Sequence, residues 1–190
     1  MKFRFTIANK IGIGFGLLLF FVLLTSAFSL ITLRENLEIS QNIEKLYQPS
    51  AKMIDELSIM MTESKMLIKN WVEEKNEETA YKLQLEKLHA TDYPQLVGKI
   101  NSISVNWPQE DQAKLKTVLK SIDSLFVEHV IIMKQLKKRS DYENITNLWD
   151  AEAKVERSGS VMKITDRILH SLSEISDKLQ TRIASENEIM

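Results

Sequence analysis

Residues 11–33, IGIGFGLLLFFVLLTSAFSLITL, form a run of 23 residues without a charge, and this run decides the class of the protein. As an α-helix, with a rise of ~1.5 Å per residue, it would be about 34 Å long. That length is sufficient to cross the ~30 Å hydrocarbon core of a bilayer. The sequence therefore predicts a transmembrane helix at 11–33, followed by a polar domain at 34–190.

The charges on either side of the run predict its orientation. Lys2, Arg4 and Lys10 precede it without an acidic residue, whereas Arg34 and Glu35 follow it directly. Because basic residues are retained on the cytoplasmic side, we expect residues 1–10 in the cytoplasm and residues 34–190 in the periplasm, with the helix in the inner (cytoplasmic) membrane. A cleaved signal peptide is the alternative, but its apolar core is typically only ~7–15 residues long.

Composition excludes several classes of function. The chain has 25 basic and 26 acidic residues, and three of the basic ones precede the apolar run, so residues 11–190 carry a net charge of −4. Such a domain lacks the basic excess that nucleic-acid binding requires. The absence of cysteine removes disulfides and thiolate metal sites. With only 5 Gly and 3 Pro, the chain favours long helices over a β fold.

Apolar residues recur at intervals of three and four beyond residue 33, which is typical of helices with one buried face. The pattern predicts four helices, at about 34–75, 77–105, 108–139 and 142–190. Pro49 and Pro94 should kink the first two. The polar stretch 73–78 should form the first turn, and Ser140 or Asp141 should cap the fourth helix. The fold class predicted is all-α: a transmembrane helix that continues into an up-down-up-down antiparallel four-helix bundle.

The residues expected to face the interior follow these helices. In the first they are Leu33, Leu37, Tyr47, Ile54, Leu57, Met61, Leu67 or Ile68, and Trp71; in the second, Tyr81, Leu85, Leu88, Leu96 or Val97, and Ile100. The third contributes Leu115, Val118, Leu119, Ile122, Leu125, Phe126, His129, Met133 and Leu136. The fourth contributes Ile145, Leu148, Glu152, Val155, Gly159, Met162, Ile168 or Leu169, Leu172, Ile175, Leu179 and Ile183. The basic residues Lys137, Lys138 and Arg139 should lie in the last turn of the third helix.

Five residues are candidates for contact with a ligand. Trp71 ends the first helix and Trp149 opens the fourth, so both should lie at the end of the bundle far from the membrane, where they could floor a pocket or simply plug the bundle. Asn70 and Glu152 supply polar layers near that end. His129, one turn before Met133, could bind a metal or titrate as a pH sensor, although packing as a core histidine is the simpler interpretation.

No catalytic residue, resident metal or cofactor is predicted. The sequence contains no phosphate-binding glycine loop, no nucleophile elbow and no HExxH pair. His89, His129 and His170 lack the His-Glu or His-Asp context of a phosphoacceptor, so we do not expect an enzyme within these residues.

Several segments resemble the four-helix-bundle sensor region of bacterial transmembrane receptors: chemoreceptors, sensor histidine kinases and receptor-linked phosphatases or cyclases. The segments are TIANKIGIGFGLLL at the start of the chain, followed by LYQPSAKMIDEL, LIKNWVEE, LHATDYPQL and EHVIIMKQL. The resemblance implies a homodimer that senses a small ligand or a periplasmic protein. It also implies that the first and last helices pass the signal inward. A second span, a relay domain and an output domain would then follow residue 190.

Two functions from different classes are therefore predicted. The first is the extracytoplasmic sensor module of a signalling receptor, as the amino-terminal part of a longer chain. The alternative is a single-span helical protein that acts as a structural or interaction partner in the cell envelope. The first requires two membrane-attached helices per subunit, whereas the second requires only one anchor and an exposed apolar face.

Overall fold

The computed structural model describes residues 7–75 and 80–189, and all regular secondary structure in those residues is helical. Its α-helices are α1 (Ile7–Asn42), α2 (Gln48–Glu73), α3 (Ala80–Lys87), α4 (Tyr93–Ser104), α5 (Gln109–Gln135), α6 (Ile145–Val155) and α7 (Ser160–Ile189). Wide π turns join α1 to α2 (Ile43–Tyr47) and α3 to α4 (Leu88–Asp92), and a 3-10 turn (Arg139–Glu143) precedes α6. The prediction of an all-α protein is confirmed for these residues.

The predicted span is a helix whose side chains contact almost nothing else in the chain. All side chains from Gly12 to Arg34 are exposed. This helix is long and apolar enough to cross a membrane, and none of its apolar window is buried by protein. Leu33 and Leu37 were expected to face the bundle but are exposed. Lys2 and Arg4, on which the predicted orientation depends, lie outside the described residues.

Each of the two prolines expected to kink a helix lies in the first turn of an α-helix that follows a wide π turn. Pro49 is the second residue of α2, and Pro94 is the second residue of α4. Proline has no N–H to donate, and its ring crowds the carbonyl one turn earlier. A π turn widens the backbone at that point, so both helices continue through their prolines.

Helix α2 lies at the centre of the fold, in contact with α3, α4, α6 and α7. Its pairing with α7 is antiparallel, because the Lys65 Nζ lies 2.6 Å from the Asp166 Oδ1, while the Ser176 hydroxyl donates to Asp55 at 2.8 Å. The core consists mainly of the predicted residues of these helices. The largest side chains that are fully buried are Ile54, Leu57, Met61, Leu67, Ile68, Leu85, Ile100, Ile122, Leu125, Ile132, Leu136 and Ile168.

The end of the bundle next to α1 is closed by polar contacts to buried groups. The Trp107 Nε1 donates to the Ser50 hydroxyl at 2.9 Å. The buried Asp111, in the first turn of α5, accepts from the Lys178 Nζ at 2.7 Å and from an Arg182 guanidinium nitrogen at 2.8 Å. These bonds fasten the start of α5 to the late turns of α7, so α7 returns to the level at which α2 begins.

The predicted continuous helix at 142–190 is wrong. The chain leaves the helix after Val155 and resumes at Ser160, so α6 and α7 are separate helices. A β-carbon on Gly159 would overlap the carbonyl oxygens of Ala153 and Lys154. Glycine allows this close approach because it has no side chain.

Two predictions at the other end of this segment are also wrong. Ser140 and Asp141 do not cap the fourth helix; the Asn144 side chain does, accepting from the backbone N–H groups of Thr146 and Asn147. Helix α5 ends at Gln135, so the three basic residues from Lys137 onward lie beyond it rather than in its last turn. The expected start of the second helix at residue 77 lies outside the described residues, as do residues 76–78 of the polar turn.

Candidate functional site

A buried lysine and two aromatic rings fill the end of the bundle far from α1. The Lys82 Nζ donates to the Tyr142 hydroxyl at 2.9 Å and lies 5.1 Å from the centre of the Trp71 ring and 4.9 Å from that of Tyr142. The Tyr142 hydroxyl donates to the Trp71 carbonyl at 2.6 Å, and the Trp71 Nε1 donates to the Leu136 carbonyl at 3.0 Å. Trp71 is therefore a fixed part of the packing, with its one polar group satisfied.

Burial in this cluster changes the chemistry of the tyrosine. It raises the pKa of Tyr142 to about 12, since burial disfavours the phenolate and the carboxylates of Asp141 and Glu74 add to the effect. Lys82 was not predicted as a core residue, because it occurs in a strongly polar stretch. Its methylene chain can be buried while its ammonium rests against ring faces, but only if two aromatic residues from distant helices are brought to it.

The other predicted ligand residues make none of the contacts of this cluster. Trp149 is 69% exposed on α6 and does not plug the bundle. Asn70 and Glu152 are half-buried. Within the described residues, no hydrogen bond or ring contact joins any two of the five candidates.

His129 is fully buried and pairs with a second histidine. The His89 Nε2 and the His129 Nδ1 are 3.2 Å apart, and the two rings stack with a 16° angle between their planes. His89 also stacks on Phe126, at 3.9 Å between ring centres. His89 lies in the π turn between α3 and α4, whereas His129 lies on α5, so the pair joins two helical segments.

Both histidines are held neutral by their surroundings. Burial lowers the pKa of His89 to about 4. Burial, followed by the charge that His89 would carry, lowers the pKa of His129 to about 3. The His129 Nε2 has no hydrogen-bond partner among the described residues. Those residues also contain no group of three His, Asp or Glu side chains placed to hold a metal ion.

A cleft with a basic rim lies between α2 and the break that separates α6 from α7. It has a volume of about 560 Å³, and the side chains facing it are Thr62, Lys65, Met66, Lys69, Val155, Arg157, Met162 and Asp166. The Lys65 ammonium is bonded to Asp166 at 2.6 Å, and the Lys69 Nζ is 3.5 Å from a Glu73 oxygen. No hydrogen bond or ion pair holds Arg157 within the described part of the chain. The sequence pattern did not single out this arginine, because a lone cation on a helix normally indicates a solvated surface.

The three arrangements differ in what they can do. The Lys82 cluster is filled by its own side chains, and the histidine pair is closed to solvent on the His129 side. Of these three, the cleft beside Arg157 combines open volume and an apolar wall with a cation that has no ion-pair partner in the described residues. A scan against protein-family models found no matching family, and searches of curated proteins and of solved structures found no similar chain.

Proposed function

We propose that the chain is the membrane-anchored, extracytoplasmic sensor module of a bacterial signalling receptor. In this proposal α1 crosses the inner membrane with the amino terminus in the cytoplasm. The remaining helices form an up-down-up-down antiparallel four-helix bundle in the periplasm, and output chemistry belongs to a part of the receptor beyond residue 190.

The observation that carries the proposal is the meeting of α7 with the junction between α1 and α2. The Arg182 guanidinium lies 5.9 Å from the centre of the Tyr47 ring, which belongs to the π turn joining those two helices. Arg182 is at the same time fixed to α5 through Asp111. A helix that continues into an apolar span and a helix that returns to its base are the two elements a transmembrane relay requires.

The relay would work by population shift between two packings of α7 against α2. A ligand biases such an equilibrium only to the extent that it binds one packing more tightly than the other. Helix shifts of about 1–2 Å are typical of this kind of switching. The α2–α7 contacts on the surface, such as the bond from Ser176 to Asp55, can be remade after a shift of that size because exposed polar pairs contribute little stability.

Topology can be tested by cysteine labelling, because the native chain has no cysteine. A membrane-impermeant maleimide applied to intact cells should label the Ser102→Cys variant, whose side chain is exposed on α4. It should not label Lys2→Cys until the inner membrane is permeabilised. Labelling of Lys2→Cys alone, or recovery of the chain in the soluble fraction, would refute the proposed anchor and orientation.

The relay itself can be tested with the double variant Asp55→Cys/Ser176→Cys, which replaces a bonded pair on α2 and α7. If α7 shifts on ligand binding, the rate of oxidative cross-linking should change by about twofold or more when a binding compound is added. The control pair Lys114→Cys/Glu174→Cys replaces a bonded pair between α5 and α7 and reports whether the shift is shared with α5. Identical rates with and without the bound compound would overturn the relay.

The alternative of an envelope interaction protein is favoured by one observation. Val127, Val130 and Ile131 are exposed on neighbouring turns of α5. A contiguous apolar patch on a surface marks a site of protein contact more often than isolated apolar residues do. If the alternative is correct, the double variant Val127→Ser/Ile131→Ser should lose binding to the envelope partner. If the sensor proposal is correct, the same variant should show unchanged cross-linking between α2 and α7.

A further inference from the structure

We propose that the cleft between α2 and the α6–α7 break binds a small organic carboxylate with an apolar body. The proposal names the ligand class of the sensor function proposed above and rests on that function for its biological role. The binding itself rests only on the shape, lining and charge of the cleft.

The size of the cleft suits a small molecule. Its volume of about 560 Å³ falls within the ~300–1,000 Å³ range of ligand pockets in proteins. One wall is apolar, formed by Met66 of α2, Val155 at the end of α6 and Met162 of α7. Methionine side chains adapt to irregular apolar ligands because they are unbranched and polarisable. The wall therefore favours a ligand with an apolar ring or chain.

The charge of the cleft requires the other end of the ligand to be an anion. Three cations face it, and Asp166 is the one carboxylate among the described side chains that line it. With Glu73 paired to Lys69 beside it, the local excess is one positive charge, that of Arg157. This excess stands out in a region whose net charge is −4. Asp166 is bonded to Lys65. Lys69 and Arg157 are therefore the two cations that can bind an anionic ligand.

Arg157 is the residue that specifies a carboxylate. Its guanidinium has no partner in the described residues, and a guanidinium matches the two oxygens of a carboxylate with two parallel N–H bonds. The Lys69 ammonium faces the same cleft from α2. Its 3.5 Å contact with Glu73 joins two exposed side chains, so a ligand can readily replace Glu73 as its partner. An inorganic anion would satisfy these cations but would leave the apolar wall uncovered.

The position of the cleft explains how binding would reach the membrane. Lys69 and Met66 belong to α2, which continues into α1, whereas Arg157 lies within the α6–α7 break and Met162 in the first turn of α7. A carboxylate held between them contacts both helices of the proposed relay. Because the break is the point where α7 begins, the ligand acts directly on the starting position of α7 relative to α2.

Binding can be measured on the whole chain in lipid nanodiscs by isothermal titration calorimetry. The probes are benzoate and hexanoate, each compared with its neutral amide, together with inorganic phosphate. We expect at least one carboxylate to bind about tenfold or more tightly than its amide, since a charge-assisted hydrogen bond is worth about one such factor or more. Phosphate should bind more weakly than that carboxylate because it gains nothing from the apolar wall.

Matched arginine variants locate the site. Arg157→Gln should weaken carboxylate binding about tenfold, while Arg167→Gln, an exposed arginine of α7 outside the cleft, should leave it unchanged. Lys69→Gln should have a smaller effect in the same direction. Circular dichroism of each variant shows whether the bundle has remained folded.

Three outcomes would overturn the proposal: neither carboxylate binding more tightly than its amide, phosphate binding as tightly as the carboxylates, or Arg157→Gln and Arg167→Gln having equal effects. These failures are distinguishable from failure of the sensor function. The cysteine-labelling test does not depend on a ligand, and a chain with the proposed topology that rejects carboxylates would retain its orientation while losing this ligand assignment.

Discussion

The buried histidine pair makes the stability of the bundle depend on pH between about pH 6.5 and pH 4. In the folded chain the pKa of His89 is lowered to about 4 and that of His129 to about 3. In the unfolded chain both should titrate near ~6.5. Between these values the unfolded state binds more protons than the folded state. The free energy of unfolding therefore falls as the pH falls through this window.

The size of the effect follows from the width of the window. The value of pH 5 is about 1.5 units below the ~6.5 pKa of a histidine in the unfolded chain, while both histidines of the folded chain are still mostly neutral. At ~1.36 kcal/mol per unit, each histidine then costs about 2 kcal/mol of stability, and the pair costs about 4 kcal/mol relative to pH 7.5. This is a large share of the ~5–15 kcal/mol that stabilises a typical domain.

Urea unfolding of the chain in detergent micelles, followed by tryptophan fluorescence, measures this free energy. Trp71 and Trp107 are buried in the bundle and should report its unfolding. The double variant His89→Gln/His129→Leu removes both titrating groups while keeping a side chain of similar size in each place. Between pH 7.5 and pH 5 the free energy of unfolding of the wild-type chain should fall by about 4 kcal/mol more than that of the double variant. The carboxylates are the same in both proteins, so their contribution cancels in this comparison.

One result would refute this reasoning. If the wild-type chain and the double variant lose the same free energy between pH 7.5 and pH 5, the two imidazoles are not held neutral by burial. Two carboxylates near the pair already have partners. Asp123 accepts a hydrogen bond from the Tyr93 hydroxyl at 3.2 Å, and the Tyr93 ring packs on Phe126. Asp92 is paired with Lys87 at 3.3 Å. Asp123→Asn should therefore change the pH dependence less than loss of either histidine.

Two further predictions concern single substitutions, each with a matched control and each measured by the same urea unfolding. Gly159→Ala should destabilise by about 1–3 kcal/mol, because its methyl group would overlap the Lys154 carbonyl. Gly98→Ala should instead stabilise by up to about 1 kcal/mol, since Gly98 is exposed within α4 and has open space around it. Tyr142→Phe should cost about 1–3 kcal/mol by removing the hydroxyl that joins Lys82 to the Trp71 carbonyl. Tyr81→Phe, at an exposed tyrosine, should cost almost nothing.

Each of these predictions has a result that contradicts it. Equal effects of alanine at Gly159 and Gly98 would mean that the α6–α7 connection does not need a glycine. A Tyr142→Phe variant as stable as Tyr81→Phe would mean that the buried hydroxyl is not part of a cooperative network.

The helices and most of their buried faces could be predicted from the sequence. Leu57, Met61, Ile122 and Leu125 follow a regular spacing on α2 and α5, and all four are fully buried. Each of these helices packs through one face, so the spacing of apolar residues is sufficient to identify that face.

The exceptions occur where a residue's role depends on partners distant in sequence. Tyr81 was expected inside but is exposed, whereas Lys82, which was not among the predicted core residues, is buried because it can lie against Trp71 and Tyr142. Ile145 was expected inside a continuous helix, yet it begins α6 and is exposed.

The candidate site was the part least accessible to sequence reasoning. The predicted aromatic residues were chosen by helix length, which places Trp71 correctly at the far end but does not determine which way Trp149 faces. The cleft exists because the chain leaves the helix between Val155 and Ser160, and apolar spacing continues on both sides of that break. A β-carbon at position 159 would overlap the carbonyl oxygens of Ala153 and Lys154. That close approach exists only once the turn has formed, so the spacing of apolar residues does not reveal it.

The π turn at Ile43–Tyr47 has a mechanical consequence for the whole molecule. The helical rod from Gly12 to Glu73 has 62 residues, and this turn is its one departure from α-helical geometry within that range. Since sharp bends in helices occur at π turns and similar interruptions, we expect bending of the rod to concentrate there instead of spreading along it. In the proposed relay, the five residues of that turn are a compliant joint, and their stiffness would set how much of a displacement of the bundle reaches the apolar segment.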